Sequence, residues 1–457
     1  MDARIDSFRA ALDAQPVSKF QIRLVIMALL LMVMDGYDVQ AIGYVAPVLT
    51  TMWKIDRSAF ATVFSAGLIG LTIGTLIFSP ISDRYGCRPV LIICTAMFGV
   101  LTLATALVHS FGALIALRFL TGLGLGGAMP SVIALVTDYA PTRHRNLMVL
   151  ISVIGFPVGG AAGGFIGAFA IQSFGWQSVF VIGGIVPLVI LPLILIWLPE
   201  TMPILLADPS PRARLAKVVA QVAPGWTAPE SKPSDLVAQK RFPVAVLFTR
   251  DYAVPTLLIW SVYVCNLLLI YFFVNWTPIL ATQVGQTLQA ANIATGVFQL
   301  AGIVGGLLMS FLSDRTGRSQ LIIMCASLAA AACCFVFGTA AHSTPGALIA
   351  AAAAAGFCIV GTNGLTSAFV GRYYPATIRA TGVGWGLGMG RLGSILGAIA
   401  GGILLSLNVS MPTLFAFFAA PALIAAVCII SIKRSPDLKP SGQSLSPTAN
   451  PRVSTAV

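Results

Sequence analysis

The sequence has few charged residues. Of its 457 residues, 9% are Asp, Glu, Lys or Arg, whereas a soluble protein carries about a quarter. Hydrophobic residues make up 57% of the chain, and that much apolar surface does not fit inside one or two water-soluble domains. The composition therefore argues against a soluble enzyme and for a protein that sits in a membrane.

Patterned cysteine and histidine are also missing. The chain has eight cysteines and three histidines, no two cysteines form a C-x-x-C pair, and the histidines are far apart in sequence. We interpret the cysteines as small apolar packing residues, and we expect no metal site and no cofactor. A membrane enzyme is the weakest alternative, because no nucleophile–base cluster is present in the sequence.

What is present is a series of apolar runs of about twenty residues, the length that an α-helix needs to cross a bilayer. The first run carries two Asp and lacks a small-residue cleavage site, so we expect it to be a retained span. The sequence predicts twelve spans, at 22–49, 59–81, 89–108, 112–136, 147–171, 176–198, 253–281, 289–312, 320–340, 345–369, 380–407 and 412–432.

The spans divide into two groups. We predict a six-helix half at 22–198 and another at 253–432, with a Pro-rich charged linker at 199–252 between them. The remaining segments are an N-terminal segment at 1–21 and a Ser/Pro-rich tail at 433–457, which we expect to be disordered.

Basic residues lie almost entirely on one side of this topology. Of the Lys and Arg residues, Lys54 and Arg57 fall in loops on the far side, and Arg118 and Arg391 fall inside spans. The positive-inside rule then makes the side with both termini cytoplasmic, and residues 1–21 form a cytoplasmic N-terminus. The net charge of +12 thus reports topology and does not indicate a nucleic-acid partner.

Two motifs occur once in each half. A D-R-x-G-x-R loop occupies residues 83–88. A form that is one residue shorter, D-R-x-G-R, occupies residues 314–318, which gives an offset of 231 (314 − 83). A Pro-x-x-x-Arg segment at 141–145 returns at 375–379, an offset of 234 (375 − 141). Agreement to within three residues indicates a duplicated six-helix unit, and repeats of this kind place a substrate site where the halves meet.

These loops resemble the signature of the major facilitator superfamily. Further segments resemble the aromatic acid–proton symporters of that superfamily: 35–38 (DGYD), 118–127 (RFLTGLGLGG), 373–382 (YYPATIRATG) and 388–393 (GMGRLG). The likeness covers nearly all of residues 20–432. It implies an all-α fold of twelve helices around a central cavity, and uptake of a hydroxybenzoate-like carboxylate driven by the proton gradient.

Two acidic residues lie in the first span. Asp35 is close to mid-membrane, where an ionisable group costs roughly 2.5–3.5 kcal/mol and therefore faces the bundle interior. Asp38 is three residues on, hence on nearly the same helix face. Two such carboxylates suit proton coupling, since like charges favour protonation of one of them. The residues alone do not tell which one carries the proton, and a helix-packing ion pair is the alternative.

Two arginines also lie inside spans. Arg118 has no counterpart in the second half, where the equivalent position is Ala352. Arg391 stands among the glycines of 388–393, which leave room for its guanidinium, and a planar fork of donors suits a carboxylate. Both are candidates for the substrate carboxylate; we favour Arg391 for that role and Arg118 as partner of an Asp in the first span, although the roles could be exchanged.

Polar and aromatic residues of other spans are candidates for the cavity wall. On the seventh span Tyr263 and Asn266 share one face while Tyr271 and Asn275 share another, so a straight helix cannot present both pairs to the cavity. Packing is the alternative role for the aromatics. The cavity-lining candidates are Tyr44, Tyr263, Asn266, Trp276 and Gln299.

We interpret the charged loops as gating elements that lock the linker side. Arg84 or Arg88 can pair with Asp138 at the end of the fourth span. In the second half the position equivalent to Asp138 is Arg372, so this lock looks incomplete there. The candidate gating residues are Asp83, Arg84, Arg88, Asp138, Asp314, Arg315 and Arg318.

The sequence predicts a multi-pass transporter of the bacterial inner membrane that works as a monomer on a small aromatic carboxylate and protons. Alternatives within the superfamily are an importer of muconate or another dicarboxylate and a drug–proton antiporter. The two intramembrane arginines favour an anion over a cationic drug. A more remote alternative is a transporter-like sensor of aromatic acids, although no signalling domain is attached.

Overall fold

A computed structural model describes residues 2–207, 212–226, 244–249, 252–375, 378–407 and 409–432, and the regular elements in this part of the chain are all helical. Short 3₁₀ turns occur at Arg57–Ala59 and Val244–Phe248. The α-helices are α1 (Asp2–Asp13), α2 (Lys19–Trp53), α3 (Phe60–Tyr85), α4 (Cys87–Thr105), α5 (Phe111–Gly126), α6 (Ala128–Tyr139), α7 (Arg145–Phe174), α8 (Gln177–Trp197), α9 (Met202–Ala207), α10 (Arg212–Val222), α11 (Ala253–Gln283), α12 (Leu288–Thr316), α13 (Ser319–Ala340), α14 (Pro345–Tyr373), α15 (Arg379–Ser406) and α16 (Met411–Ser431).

Eleven segments of the described chain are long and apolar enough to cross a membrane. The remaining predicted span is α2, which carries both intramembrane Asp. Its 35 residues extend for about 50 Å, and it packs along α7, which is one of the eleven. It is longer than predicted because Ser18 and Gln21 form a capping box at its start and because the helix continues to a left-handed Lys54. The all-α polytopic fold is confirmed.

The fourth predicted span is one membrane-crossing segment, Phe111–Tyr139, whose α-helix is interrupted at a single residue. The break falls at Gly127, between α5 and α6, just before Pro130. Proline has no N–H and cannot bond the carbonyl four residues back, which is that of Gly126. The Thr75 hydroxyl donates to this Gly126 carbonyl at 2.9 Å, so the freed acceptor is satisfied from α3.

Helix packing repeats between the halves. In the first half α2 packs on α7, α3 on α5 and α4 on α8; in the second, α11 packs on α15, α12 on α14 and α13 on α16. In both halves the first span packs on the fifth, the second on the fourth and the third on the sixth. Gly86 after α3 and Gly317 after α12 also share a positive φ, 101° and 66°. The duplication predicted from the loop motifs is thus present in the fold.

The halves join through α7 on α12, α3 on α15 and α2 on α11. Close approach needs small residues: a side chain at Gly164 of α7 would meet the carbonyl of Asn292 and the backbone of Gly296, both at 2.8 Å. At Gly402 of α15 the neighbours are Ser58 and Ala61. These contacts lie toward the ends of the helices opposite the linker.

Two segments outside the spans contain helices. Residues 1–21 include α1, and the predicted linker includes α9 and α10. Phe8 of α1 packs edge-on against Trp226, with ring centroids 5.3 Å apart. The Asp13 carboxylate accepts hydrogen bonds from Thr142 N and Oγ1, both at 2.6 Å, and these bonds lower the pKa of Asp13. We call α1, α9 and α10 the cap, which packs on the first half. The predicted disordered tail lies outside the described residues.

Candidate functional site

An ion pair is buried in the first half. Arg118 Nη1 of α5 lies 3.5 Å from Asp38 Oδ2 of α2, and the two side chains are 4% and 1% exposed. Thr102 Oγ1 donates to the other Asp38 oxygen at 2.5 Å, and Arg118 Nη2 donates to Thr105 Oγ1 at 3.0 Å. The guanidinium also lies 5.0 Å from the centre of the Phe180 ring. Arg118 therefore has the kind of partner that we favoured for it, and that partner is Asp38.

Asp35 has a different environment from Asp38. It is 2% exposed, and its Oδ1 has no hydrogen-bond partner in the described part of the chain. Gly36 explains its depth, because a side chain at that position would overlap the Phe156 carbonyl, so α7 covers α2 directly beside Asp35. The charged groups near Asp35 are Arg391 and Asp38. A buried carboxyl with an unmet oxygen is suited to carry a proton.

Arg391 of α15 extends toward the opposite half. Its Nη2 lies 4.0 Å from Met129 Sδ of α6. The residue is half-buried and has Asp35 and Tyr271 as electrostatic neighbours. In the described residues no carboxylate lies within 4.0 Å of its guanidinium. A cation in this position, between the halves, has donors available for an anion.

A small cavity adjoins the buried ion pair. Its volume of about 30 Å³ has room for one water molecule. Asp38, Arg118 and Thr121 line it from the first half, and Asn275 lines it from α11 of the second. Four polar side chains around such a volume can hold a water, and the Nε of Arg118 has no other partner in the described chain. The ion pair thus borders the second half at Asn275.

Tyr44 and Trp276, two of the predicted wall residues, use their polar groups to join neighbouring helices. The Tyr44 hydroxyl donates to Gly160 O at 2.6 Å, and Trp276 Nε1 donates to Ala398 O at 3.0 Å. Both side chains are fully buried. These bonds hold α2 to α7 and α11 to α15, which is the packing alternative that the sequence left open.

The other three wall candidates keep some polar capacity. Tyr263 donates to Ser367 Oγ at 3.2 Å, and Asn266 donates to Ile359 O at 2.9 Å. The side-chain oxygens of Asn266 and Gln299 are buried without a partner in the described residues. Asn275 and Tyr271, on the other face of α11, are the residues that adjoin Arg118 and Arg391.

Some residues of the site escaped sequence reasoning. Thr102 and Thr105 are three apart on α4, so they share one face of an apolar helix, and that spacing was a usable signal. Met129 is an ordinary apolar residue, and nothing in the sequence marks it as a neighbour of Arg391.

The predicted lock of Arg88 with Asp138 is not formed in this structure. Arg88 Nη2 instead donates to Leu195 O at 2.6 Å, because the end of α8 lies beside the start of α4. Asp138 accepts from the Met202 backbone N–H of the cap. Arg84 is exposed and lies over its neighbour Tyr85, with 5.4 Å from Cζ to the ring centre, and Asp83 is exposed beside them.

In the second half Arg372 forms an ion pair with the loop, although we expected the lock to be incomplete at this position. Arg372 Nη1 pairs with Asp314 Oδ1 at 2.9 Å. Arg315 lies over the Phe311 ring at 5.2 Å, and the backbone N–H of Arg318 donates to Thr316 Oγ1 at 3.4 Å. The halves therefore use their equivalent positions, 138 and 372, for opposite charges.

Relatives of known activity align over nearly the whole chain. A gallate transporter of Pseudomonas putida is 37% identical, with 94% of this chain and 96% of the relative covered. A 4-hydroxybenzoate transporter of Pseudomonas aeruginosa is 36% identical, with 92% and 94% covered. A benzoate transport protein of Acinetobacter baylyi is 30% identical, with 98% and 96% covered. The resemblance to transporters of aromatic acids is confirmed.

Solved structures support the fold. The crystal structure of a D-xylose–proton symporter matches with a TM-score of 0.70 at 16% identity, covering 92% of this chain and 99% of that one. The family model of the Major Facilitator Superfamily matches residues 28–280 and 259–454. The chain is a transporter and not an enzyme, as the sequence predicted. It belongs to the major facilitator superfamily.

Proposed function

We propose that this protein imports an aromatic carboxylate together with a proton, by alternating access of a site between the two halves. The observation that carries the proposal is Arg391, a cation that lies between the halves with no carboxylate of the described chain within 4.0 Å of its guanidinium. The names of the relatives, which transport gallate, 4-hydroxybenzoate and benzoate, support the class of substrate.

Arg391 binds the substrate carboxylate in this proposal. A guanidinium offers two parallel N–H donors to a carboxylate, and Arg391 has these donors directed to the space between α15 and α6. Tyr271, an aromatic neighbour of Arg391, is placed to contact the ring of the bound acid. Binding here touches both halves, as alternating access requires.

Asp35 carries the proton. Asp38 already accepts from Thr102 and pairs with Arg118, so its charge is compensated within the first half. Asp35 has one carboxylate oxygen without a partner, and its nearby cation is Arg391, which the substrate occupies. When the anion takes the guanidinium, Asp35 loses that compensation and is expected to bind a proton.

Charge balance links the two events. Asp35 and Asp38 ionised, with Arg118 and Arg391, sum to zero. A bound carboxylate adds one negative charge, and a proton on Asp35 restores neutrality. An unbalanced charge in a dry interior is costly, so the loaded site reorients readily only when anion and proton are both present.

The proposal includes an orientation. The side with the termini and the linker faces the cytoplasm of a bacterial inner membrane, because Lys and Arg are concentrated there. The partners are a small aromatic carboxylate, protons and the lipid bilayer. The proton gradient is the energy source, no cofactor takes part, and one chain contains the complete site.

Uptake by proteoliposomes tests this function. The panel contains gallate, 4-hydroxybenzoate, benzoate, a phenylpropionate, muconate and a neutral sugar, each with and without an imposed pH gradient. We expect an aromatic acid to accumulate above its equilibrium level only when the outside is acidic. Accumulation of muconate or sugar in preference to every aromatic acid, or accumulation of an aromatic acid independent of the gradient, would contradict the proposal.

A further inference from the structure

A second, larger cavity lies at the linker side of the first half, away from Arg391 and Asp35. Its volume is about 580 Å³, within the range of about 300–1,000 Å³ that ligand sites span. It lies between the start of α2, the ends of α4 and α8 that meet there, and the helices α9 and α10 of the cap. The transport scheme above makes no use of it.

Positive charge lines this cavity. Arg23 is exposed on α2, and Arg88 is half-buried at the start of α4. Arg88 Nη2 bonds the Leu195 carbonyl, but its Nε is buried with no partner in the described chain. A buried N–H without an acceptor is costly, which favours an acceptor supplied by a ligand.

One acid, Glu200, also lines the cavity, but its charge is compensated elsewhere. Its Oε1 accepts from the backbone N–H groups of Arg88 at 3.3 Å and Thr201 at 2.9 Å. The carboxylate therefore lies at the N-terminus of α4, where the helix dipole favours a negative charge. Gly86, with φ 101°, permits this approach, because a side chain there would overlap the Glu200 carboxylate. The two arginines keep a net positive charge for the cavity.

The rest of the lining is mostly apolar and includes the last residues of the helix α8. Phe20 and Ile204 face the cavity from α2 and α9. Ile196 and Trp197, at the last residues of the span α8, line it while remaining 73% and 51% exposed. Tryptophan at a span end is typical of the interface between hydrocarbon and headgroups. An occupant therefore needs a negative group beside an apolar chain.

We propose that this cavity binds an anionic phospholipid from the leaflet on the linker side. Its phosphate lies between Arg23 and Arg88, and an acyl chain runs along Ile196 and Trp197. Basic pockets at the ends of transmembrane helices are suited to such headgroups. Because both the cap and the spans line the cavity, the bound lipid also holds the cap to the first half.

Lipid binding by the purified, delipidated full-length protein tests this. The probes are dioleoyl phosphatidylglycerol, dioleoyl phosphatidylcholine and inorganic phosphate, read out by native mass spectrometry of retained lipid and by the shift in Tm. We expect phosphatidylglycerol to be retained and to raise Tm. The double variant R23Q/R88Q should bind it roughly 30-fold more weakly. Lys19→Gln, which removes an exposed charge one turn earlier on α2 and outside the cavity lining, should bind normally.

Three results would overturn the proposal. Equal retention of phosphatidylcholine shows a lipid groove without charge recognition. Equal stabilisation by inorganic phosphate shows a site for a free anion. Equal weakening in Lys19→Gln shows only general attraction to a basic surface. If the double variant does not fold, Arg23→Gln alone is decisive, since Arg23 is exposed and its loss should still weaken phosphatidylglycerol binding several-fold.

Discussion

The two halves of this transporter have the same helix packing and different charges. In the first half a carboxylate and a guanidinium, Asp38 and Arg118, satisfy one another together with two threonines. In the second half the position equivalent to Arg118 is the buried Ala352, and the intramembrane charge is Arg391, which has no acid of its own half within 4.0 Å among the described residues. The halves thus share a scaffold and differ in their charges, and the proposed binding site depends on that difference.

This comparison separates two uses of a buried arginine. Arg118 is enclosed by Asp38, Thr105 and the Phe180 ring, so its charge is compensated within the first half. Arg391 lies at the boundary between the halves, where its Nη2 approaches the Met129 sulfur of the first half and no carboxylate of the described residues lies within 4.0 Å. In the proposed function, the transported anion is the partner that Arg391 lacks within its own half.

The largest expected effect comes from breaking the compensated pair. Arg118→Leu leaves Asp38 buried without its cation, which should lower the free energy of unfolding by about 3–5 kcal/mol. The double variant R118L/D38L removes both charges and should recover much of that loss. Denaturant unfolding of the purified protein measures this. A double variant that is as unstable as Arg118→Leu would show that the two residues do not act as a pair.

The next effect tests Arg391, the arginine between the halves. Arg391→Gln should weaken binding of the aromatic acid by at least about 100-fold, because a charge-assisted contact with the carboxylate is lost. Arg391→Lys should bind the acid more tightly than Arg391→Gln but more weakly than the unaltered protein, since an ammonium cannot offer the bidentate fork. Equilibrium binding measured by calorimetry gives the Kd of each variant.

Arg372→Gln is the matched control for that experiment. It removes an arginine of the same half that already pairs with an acid, Asp314, far from the site. Its Kd should stay within about twofold of the unaltered protein. Normal binding of the acid by Arg391→Gln would contradict the claim that this arginine binds the substrate carboxylate.

A third, smaller effect concerns the contact between the halves. Gly164→Leu adds a side chain where α7 meets Asn292 and Gly296 of α12, and the halves cannot then close at that end without shifting. Overpacking of about 1–3 kcal/mol should slow uptake at saturating substrate by roughly tenfold. Gly371→Leu is the control, because a Cβ there meets no atom within 4 Å. Equal uptake rates for the two variants would show that this contact does not affect transport.

The fold was predictable because a bilayer requires each apolar run of spanning length to be a helix, and such runs can be read directly from the sequence. A run of about twenty apolar residues must be a helix, and a motif repeated at an offset of 231 must come from a repeated unit. The break at Gly127 was missed, because a proline in a span often causes only a bend and the outcome depends on a neighbour such as Thr75.

The site was predictable in its residues and less so in its pairings. Ionisable groups in apolar runs are rare enough to identify Asp35, Asp38, Arg118 and Arg391 individually. Which Asp faces Arg118 depends on the relative rotation of α2 and α5, and that is fixed by packing such as Phe156 against Gly36, which a single sequence does not contain. For the same reason the partner of Asp314 was not foreseen.

The smallest effect belongs to the loop pair of the second half. Asp314 and Arg372 are 69% and 53% exposed, so water and salt screen their attraction. Arg372→Ala should cost at most about 1 kcal/mol of stability, and less at high salt. Thermal unfolding at low and high ionic strength measures this. A loss several times larger, unchanged by salt, would mean that the pair does more than join α12 to α14 at the surface.

The most direct test of the account compares two assays of Asp35→Asn in proteoliposomes. Counterflow exchanges labelled for unlabelled acid and needs no net proton movement, whereas accumulation driven by a pH gradient does. We predict that Asp35→Asn retains counterflow and loses accumulation, because the amide keeps the site neutral once the anion is bound but cannot take up or release a proton. Undiminished accumulation by Asp35→Asn would contradict the claim that this residue carries the proton.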